Sequence, residues 1–147
     1  MITMIQEFSE RLIINSDLKH LYLARHFIRE IVRKSNLTMS DENKIVLATD
    51  EALSNVIKHT YELNKNGHID INVSVTSQKF QIHIINNGKD FDPNKIKNKD
   101  INLHIKQGKK GGLGIFLMRR VMDEVKYSFK DGQNHLTLIK YLFKIKN

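Results

Sequence analysis

The sequence predicts a single α/β domain, and three observations carry that reading. Apolar residues recur at helical spacing over residues 17–34 and again over 41–61. They alternate with polar ones over 69–75 and 80–84, and no linker-like stretch divides the 147 residues. A chain of this length buries a substantial core, so residues 1–147 are read as one domain. At 40% hydrophobic and 27% charged, the composition is that of an ordinary globular protein. The longest apolar runs, such as Ile115-Phe116-Leu117-Met118, fall far short of a membrane span. Met1 to Arg11 lacks the basic start and apolar stretch of a secretory signal. The absence of cysteine excludes a disulfide framework and any thiolate metal site. The expectation is a soluble cytoplasmic protein with no membrane association.

Residues 3–14 carry Ile5, Phe8, Leu12, Ile13 and Ile14 among polar neighbours, the pattern of an edge strand or two short strands. Ser16-Asp17 offers a cap for a first helix over 17–34. There Leu18, Leu21, Leu23, Ala24, Phe27, Ile28, Ile31 and Val32 recur with Arg25, Arg29, Glu30 and Arg33 opposite. Asn36 and Leu37 break it. Ser40 is the expected cap of a second helix, about 41–61, whose acidic start at Asp41 and Glu42 suits the positive end of the helix dipole. A polar loop with Gly67 in its turn follows. The two alternating runs around Thr76-Ser77-Gln78 predict an antiparallel hairpin with one buried face, ending at Ile85-Asn86-Asn87-Gly88. Residues 94–110 are rich in Lys and Asn, and a loop that long in a compact domain is usually functional or disordered. Gly108, Gly111, Gly112 and Gly114 lead into a third helix carrying Ile115, Phe116, Met118, Val121 and Met122. Two final strands, about 124–129 and 135–145, flank the turn Asp131-Gly132-Gln133-Asn134.

The second helix holds the residues with chemistry. Glu51, Asn55 and His59 stand at i, i+4 and i+8, so an α-helix stacks them on one face beside a core-facing stripe. Such a row is either a solvated edge or a place to hold a cation or a proton, and by itself it leaves both open. His59 reads as a helix-end packing residue, and Asp50 points about 100° away around the helix. The glycine turn before the third helix adds a second signal. A helix opening there presents unpaired N–H groups and the positive end of its dipole to an anion. The turn lacks the Gly-Lys-Ser/Thr end of a Walker A loop and does not sit in a dinucleotide fingerprint. A triphosphate there would bring Mg²⁺, which takes few protein oxygens; Asn55 is placed to give one, and Glu51 to accept or orient a proton. The net charge of +8 raises nucleic acid as a partner. The lysines concentrate at Lys89, Lys95, Lys97, Lys99, Lys106, Lys109 and Lys110, without a recognised nucleic-acid motif. A solvated loop, or one that meets phosphates of a small ligand, is the simpler reading, and no direct DNA binding is expected.

Read together, Glu51-x-x-x-Asn55, Asn86-x-Gly88-x-x-Phe91-Asp92-Pro93 and Gly111-Gly112-Leu113-Gly114-Ile115-x-Leu117-Met118 resemble, in order, the N, G1 and G2 boxes of the GHKL ATPase superfamily. The short length and the run GGLGIFLMRRVMDEV resemble the bacterial anti-sigma-factor serine-protein kinases in particular, and the resemblance covers about residues 16–143. It implies a two-layer α/β sandwich, with a mixed, mostly antiparallel sheet covered on one face by helices. ATP is then held between the N-box helix and a mobile lid over about residues 92–111. The resemblance makes Glu51 the catalytic base and Asn55 the Mg²⁺ ligand. Asn86 and Gly88 lie at the adenine, and Phe91 walls the base. Gly112 and Gly114 hold phosphates through backbone N–H groups, within a nucleotide-binding run that includes Gly111, Leu113 and Ile115. Lys109 and Lys110 are candidate phosphate contacts. The implied partners are a sigma factor and a small anti-anti-sigma protein of the STAS type, phosphorylated on serine, with the kinase working as a homodimer.

Three positions depart from the family pattern. The first G1 residue, normally Asp, is Asn86, whose carbonyl can accept a hydrogen bond from the adenine amino group but without charge, so weaker or altered nucleotide binding is expected. Where the family has Gly-Thr near the adenine, this chain has Asn134-His135, and Thr137 is the expected substitute. Asp90 replaces the second G1 glycine, which is tolerable at negative φ. The departures keep open a second function, a regulator-binding switch without kinase activity; a nucleic-acid-binding module rests on charge alone.

Overall fold

The computed structural model describes residues 7–35, 37–95 and 113–142. Five strands form one sheet: β1 (Phe8–Asn15), β2 (His68–Val75), β3 (Lys79–Asn86), β4 (Glu124–Lys130) and β5 (Gln133–Tyr141), in the order β1-β2-β3-β5-β4. Helices α1 (Leu21–Arg33), α2 (Met39–Asn55) and α3 (Leu113–Val121) share its core. This is the expected two-layer α/β sandwich. Every pairing among the described strands is antiparallel, so the mixed sheet that the resemblance implies is not seen there.

Strand alternation sets the layers. Ile69, Ile71, Val73 and Val75 of β2 and Phe80, Ile82 and Ile84 of β3 are at most 1% exposed, and they join Ile28, Ile31, Ile45, Leu53 and Met118 of the helices in one cluster. Burying each such side chain contributes about 1.5–3 kcal/mol. The opposite face of the sheet is polar; there Arg11 clasps Asp70 through two hydrogen bonds of 2.8 and 2.6 Å. The β4–β5 turn is tighter than the four residues read from sequence. Asp131 and Gly132 both have positive φ (54° and 75°), as a two-residue type I′ turn requires, and Lys130 already pairs with Gln133.

Helix α2 begins at Met39 rather than Asp41, because its cap is Thr38 and not Ser40. The Thr38 hydroxyl accepts from Asp41 N at 3.1 Å and donates to the Asp41 carboxylate at 3.0 Å. Thr38→Ala is expected to cost about 1 kcal/mol and Ser40→Ala almost nothing, read as shifts of the urea midpoint. Two ion pairs hold α1 beside α2, Arg33 to the buried Glu42 at 2.9 Å and Arg25 to Asp50 at 3.1 Å. They tie α1 to the helix that carries Glu51 and Asn55.

Candidate active site

Helix α2 does not end as an α-helix. Val56–Thr60 continue it as a wider π-turn, closed by Tyr61 N donating to Val56 O at 2.9 Å. Glu51 and Asn55 therefore keep the relation their spacing predicts, whereas the extra residue in the turn takes His59 out of the row. His59 is exposed and stacks on Phe91, with ring centroids 5.2 Å apart and planes 16° from parallel. The π-turn also brings Thr60 against Gly88. A Cβ on Gly88 would lie 2.5 Å from Thr60 Cγ2 and 2.8 Å from Thr60 O, and Lys89 N donates to that carbonyl at 2.9 Å. The glycine is thus required by contact between loop and helix. Gly88→Ala is expected to push the loop off α2, costing about 1–3 kcal/mol in urea denaturation.

Between the end of α2, the loop after β3, α3 and the β4–β5 hairpin lies a cleft lined in part by Asn55, Thr60, Phe91, Met118, Tyr127 and Asn134. Its envelope measures about 310 Å³, of which about 20 Å³ admits water, so its walls nearly meet. Asn55 Nδ2 is buried in it without a hydrogen-bond partner. Leaving an amide so costs about 1–3 kcal/mol. A ligand oxygen would satisfy it, and with the amide turned over its oxygen would meet a cation. Glu51, one turn earlier, is half-buried. Its carboxyl is held above the usual carboxylate range, first by burial and then by the charge of Asp50, with Lys58 pulling the other way. A carboxylate so raised is a better proton acceptor.

The far wall is one hydrogen-bonded network. Asn134 of β5 is the cross-strand partner of Asn86 of β3, and they are 2% and 4% exposed. Asn134 Nδ2 donates to Asn86 Oδ1 at 3.1 Å, Gly88 O at 3.1 Å and Lys89 O at 3.0 Å. Its Oδ1 accepts from Phe91 N at 3.2 Å and from the Tyr127 hydroxyl at 2.5 Å. That hydroxyl also accepts from Phe91 N at 3.1 Å and meets the Asp90 carboxylate. Burial, followed by the bond to Asp90, pushes it well above the usual phenol range, so it stays a neutral donor. Asp90, Phe91 and the backbone of Gly88 and Lys89 are thereby tied to the hairpin.

Of the residues singled out from sequence, Asn55 and Phe91 line this cleft, Asn86 and Gly88 lie directly behind it, against Asn134 and Thr60, and Glu51 is one turn along α2. Thr137 is a correction. β5 turns Asn134 and Leu136 toward the cleft, so Thr137, which pairs with His83, lies on the opposite face of the sheet, and Asn134 stands where Thr137 was expected. The Ile115 side chain, 4% exposed, packs in the core. Leu113 and Gly114 open α3. Lys109, Lys110, Gly111 and Gly112, with most of the expected lid over 92–111, lie outside the described residues. At the start of that stretch Pro93–Lys95 form a 3-10 turn, and the Arg119 guanidinium donates to Pro93 O. Tyr127 and Asn134 escape sequence reasoning as site residues. The phase of β4 puts Tyr127 with Val125 on the buried side, but nothing local says which loop it meets.

The class that this architecture defines is confirmed by sequence likeness: the chain belongs to the family of histidine kinase-like ATPase domains, whose profile matches residues 14–140. Within that family it is similar to protein kinases. It is 31% identical over 131 residues to the serine-protein kinase RsbW of Staphylococcus aureus, which spans 86% of this chain and 82% of that one. It is 31% identical over 97 residues to the serine/threonine-protein kinase BtrW of Bordetella bronchiseptica, over 66% of this chain and 68% of that one. A crystal structure of the RsbU and RsbW domains of a Mycobacterium tuberculosis protein shares the fold. Its TM-score is 0.65 at 16% identity, over 90% of this chain and 32% of that longer one. No helix among the described residues is long and apolar enough to cross a membrane.

Proposed function

We propose that the chain is an ATP-dependent protein-serine kinase and anti-sigma factor. It binds a sigma factor and phosphorylates a small anti-anti-sigma protein of the STAS type, working as a homodimer in the cytoplasm. The observation that carries this reading is the unsatisfied Asn55 amide in the cleft, one turn from the raised Glu51 carboxyl. The 31% identity to a serine-protein kinase supports it. The residues fit a magnesium nucleotide, since Asn55 has an amide oxygen to offer and Mg²⁺ takes few protein ligands. Bound Mg·ATP supplies the transferable phosphoryl group and neutralises its charge. Glu51 accepts the proton of the attacking serine hydroxyl, Asn55 holds the cation, and Phe91 walls the base. Gly88 keeps its loop against Thr60. The run Gly111 to Ile115 holds phosphates through its backbone, joined by Lys109 and Lys110. The cleft has room for about one water, so it widens when a base enters.

Incubating the chain with Mg·ATP and the anti-anti-sigma protein of the same genome should place phosphate on a serine of that partner, detectable by mass spectrometry and abolished by EDTA. Absence of Mg·ATP binding in calorimetry at millimolar nucleotide sinks the proposal. A regulator-binding switch without transfer is favoured by one feature, Asn86 at the base wall in place of a charged acceptor. A phosphoserine on the partner rules that second reading out.

A further inference from the structure

The orientation of the Asn86 amide is over-determined by the backbone around it. Asn134 cannot be turned over. Its nitrogen faces the carbonyls of Gly88 (3.1 Å) and Lys89 (3.0 Å), which only accept, and its oxygen faces Phe91 N (3.2 Å), which only donates. The Asn86 atom that receives the third contact of Asn134 Nδ2, at 3.1 Å, is therefore an oxygen. Gly88 N, at 3.0 Å from the same atom, demands an oxygen too. Both lone pairs of Asn86 Oδ1 are taken by protein donors. The remaining polar end is Nδ2, an NH₂ group with no partner among the described residues, on a side chain that is 4% exposed. An amide end left open in this way, on a residue otherwise enclosed, is a hydrogen-bond donor able to take an acceptor.

Asn86 lies directly behind the wall of the cleft. Asn134 lines it, and Gly88 lies against Thr60, which lines it as well. We infer that Asn86 reads the nucleotide base with a donor, so that this chain accepts 6-oxopurine triphosphates, those of inosine and guanosine, at least as well as ATP. The inference rests on the nucleotide-binding proposal above and specifies its substrate. A carboxylate held by the same two donors would keep an oxygen free to receive an amino group. Asn86 offers N–H instead. Facing the 6-amino group of adenine, it sets donor against donor; facing the 6-oxo group of hypoxanthine or guanine, it makes a bond. Leaving a buried polar group unpaired against the wrong ligand is the strong form of discrimination. Glu51 and Asn55 meet parts common to all these nucleotides and do not oppose the choice.

Calorimetric titration of the full chain with the magnesium complexes of ATP, ITP and GTP tests this. ITP differs from ATP only at the 6-substituent and the adjoining ring nitrogen, so the ratio of the two affinities isolates the contact. The wild-type ratio is expected to favour ITP or be even. Asn86→Asp should move it at least tenfold toward ATP, and Asn86→Ala, which removes the donor together with the acceptor of Gly88 N, should weaken both nucleotides but ITP more than ATP, with circular dichroism confirming both folds. A wild type that prefers ATP beyond the error of the titration, as it would if adenine brought a ring nitrogen to Asn86, overturns the inference and leaves the kinase proposal standing. So does a ratio that neither variant moves. If none of the three nucleotides binds, both fall.

Discussion

Glu51→Gln is expected to slow phosphoryl transfer by about 10²–10⁴-fold while nucleotide affinity, read by calorimetry, changes little. Glutamine keeps the size and polarity of a half-buried side chain but takes no proton. The pH profile separates a base from a mere spacer. A base works in its ionised form, so wild-type transfer falls as pH drops through the Glu51 pKa. Burial and Asp50 raise that pKa, and the acid limb lies above the ordinary glutamate value of about 4.3. The variant shows no such limb. Stability should move the other way. A carboxyl whose pKa rises on folding stabilises the fold below its unfolded pKa, and that contribution is lost as pH rises through the folded pKa. Glu51→Gln should therefore melt slightly higher than wild type at pH 7, and the gain should vanish below about pH 4. A lower melting temperature at pH 7 would make Glu51 a structural member of α2.

Asn134→Ala is the variant expected to damage the fold most among the site residues, by about 3–5 kcal/mol in urea denaturation. Its amide serves Asn86, Gly88 O, Lys89 O, Phe91 N and Tyr127 at 2% exposure, and alanine leaves those groups short of partners where little water reaches. Tyr127→Phe removes the hydroxyl alone and should cost about 1–2 kcal/mol. The double variant should cost less than the sum, because both residues act on Phe91 N. Strict additivity would show that the two act separately. Removing Asn134 also frees the Asn86 amide to turn, so base discrimination should blur.

Much of this fold is legible in the chain. The apolar stripe of α1, the alternation from Ile69 to Ile84 and the Asp131-Gly132 turn each rest on a local period or on a φ preference, and each is found close to where it is read. The misreadings are also physical. Thr38 and Ser40 are both good caps, and the choice fell to whichever hydroxyl could reach Asp41 N from an extended backbone. His59 is at the right spacing for the Glu51 row, but a π-turn changes the period within Val56–Thr60, and no residue there announces it.

The sequence by itself determined the class of protein: the element order, the helix that carries Glu51 and Asn55, and the ordered boxes that resemble one ATPase family. These are properties of neighbouring residues, which a linear reading sees. Only the tertiary structure decided the wall opposite that helix. Asn86 and Asn134 are 48 positions apart and meet through the register of β3 against β5. A slip of one residue would exchange Asn134 for a neighbour on the other face. The same register turns Thr137 away, brings Tyr127 to Phe91, and fixes which end of the Asn86 amide is left without a partner among the described residues.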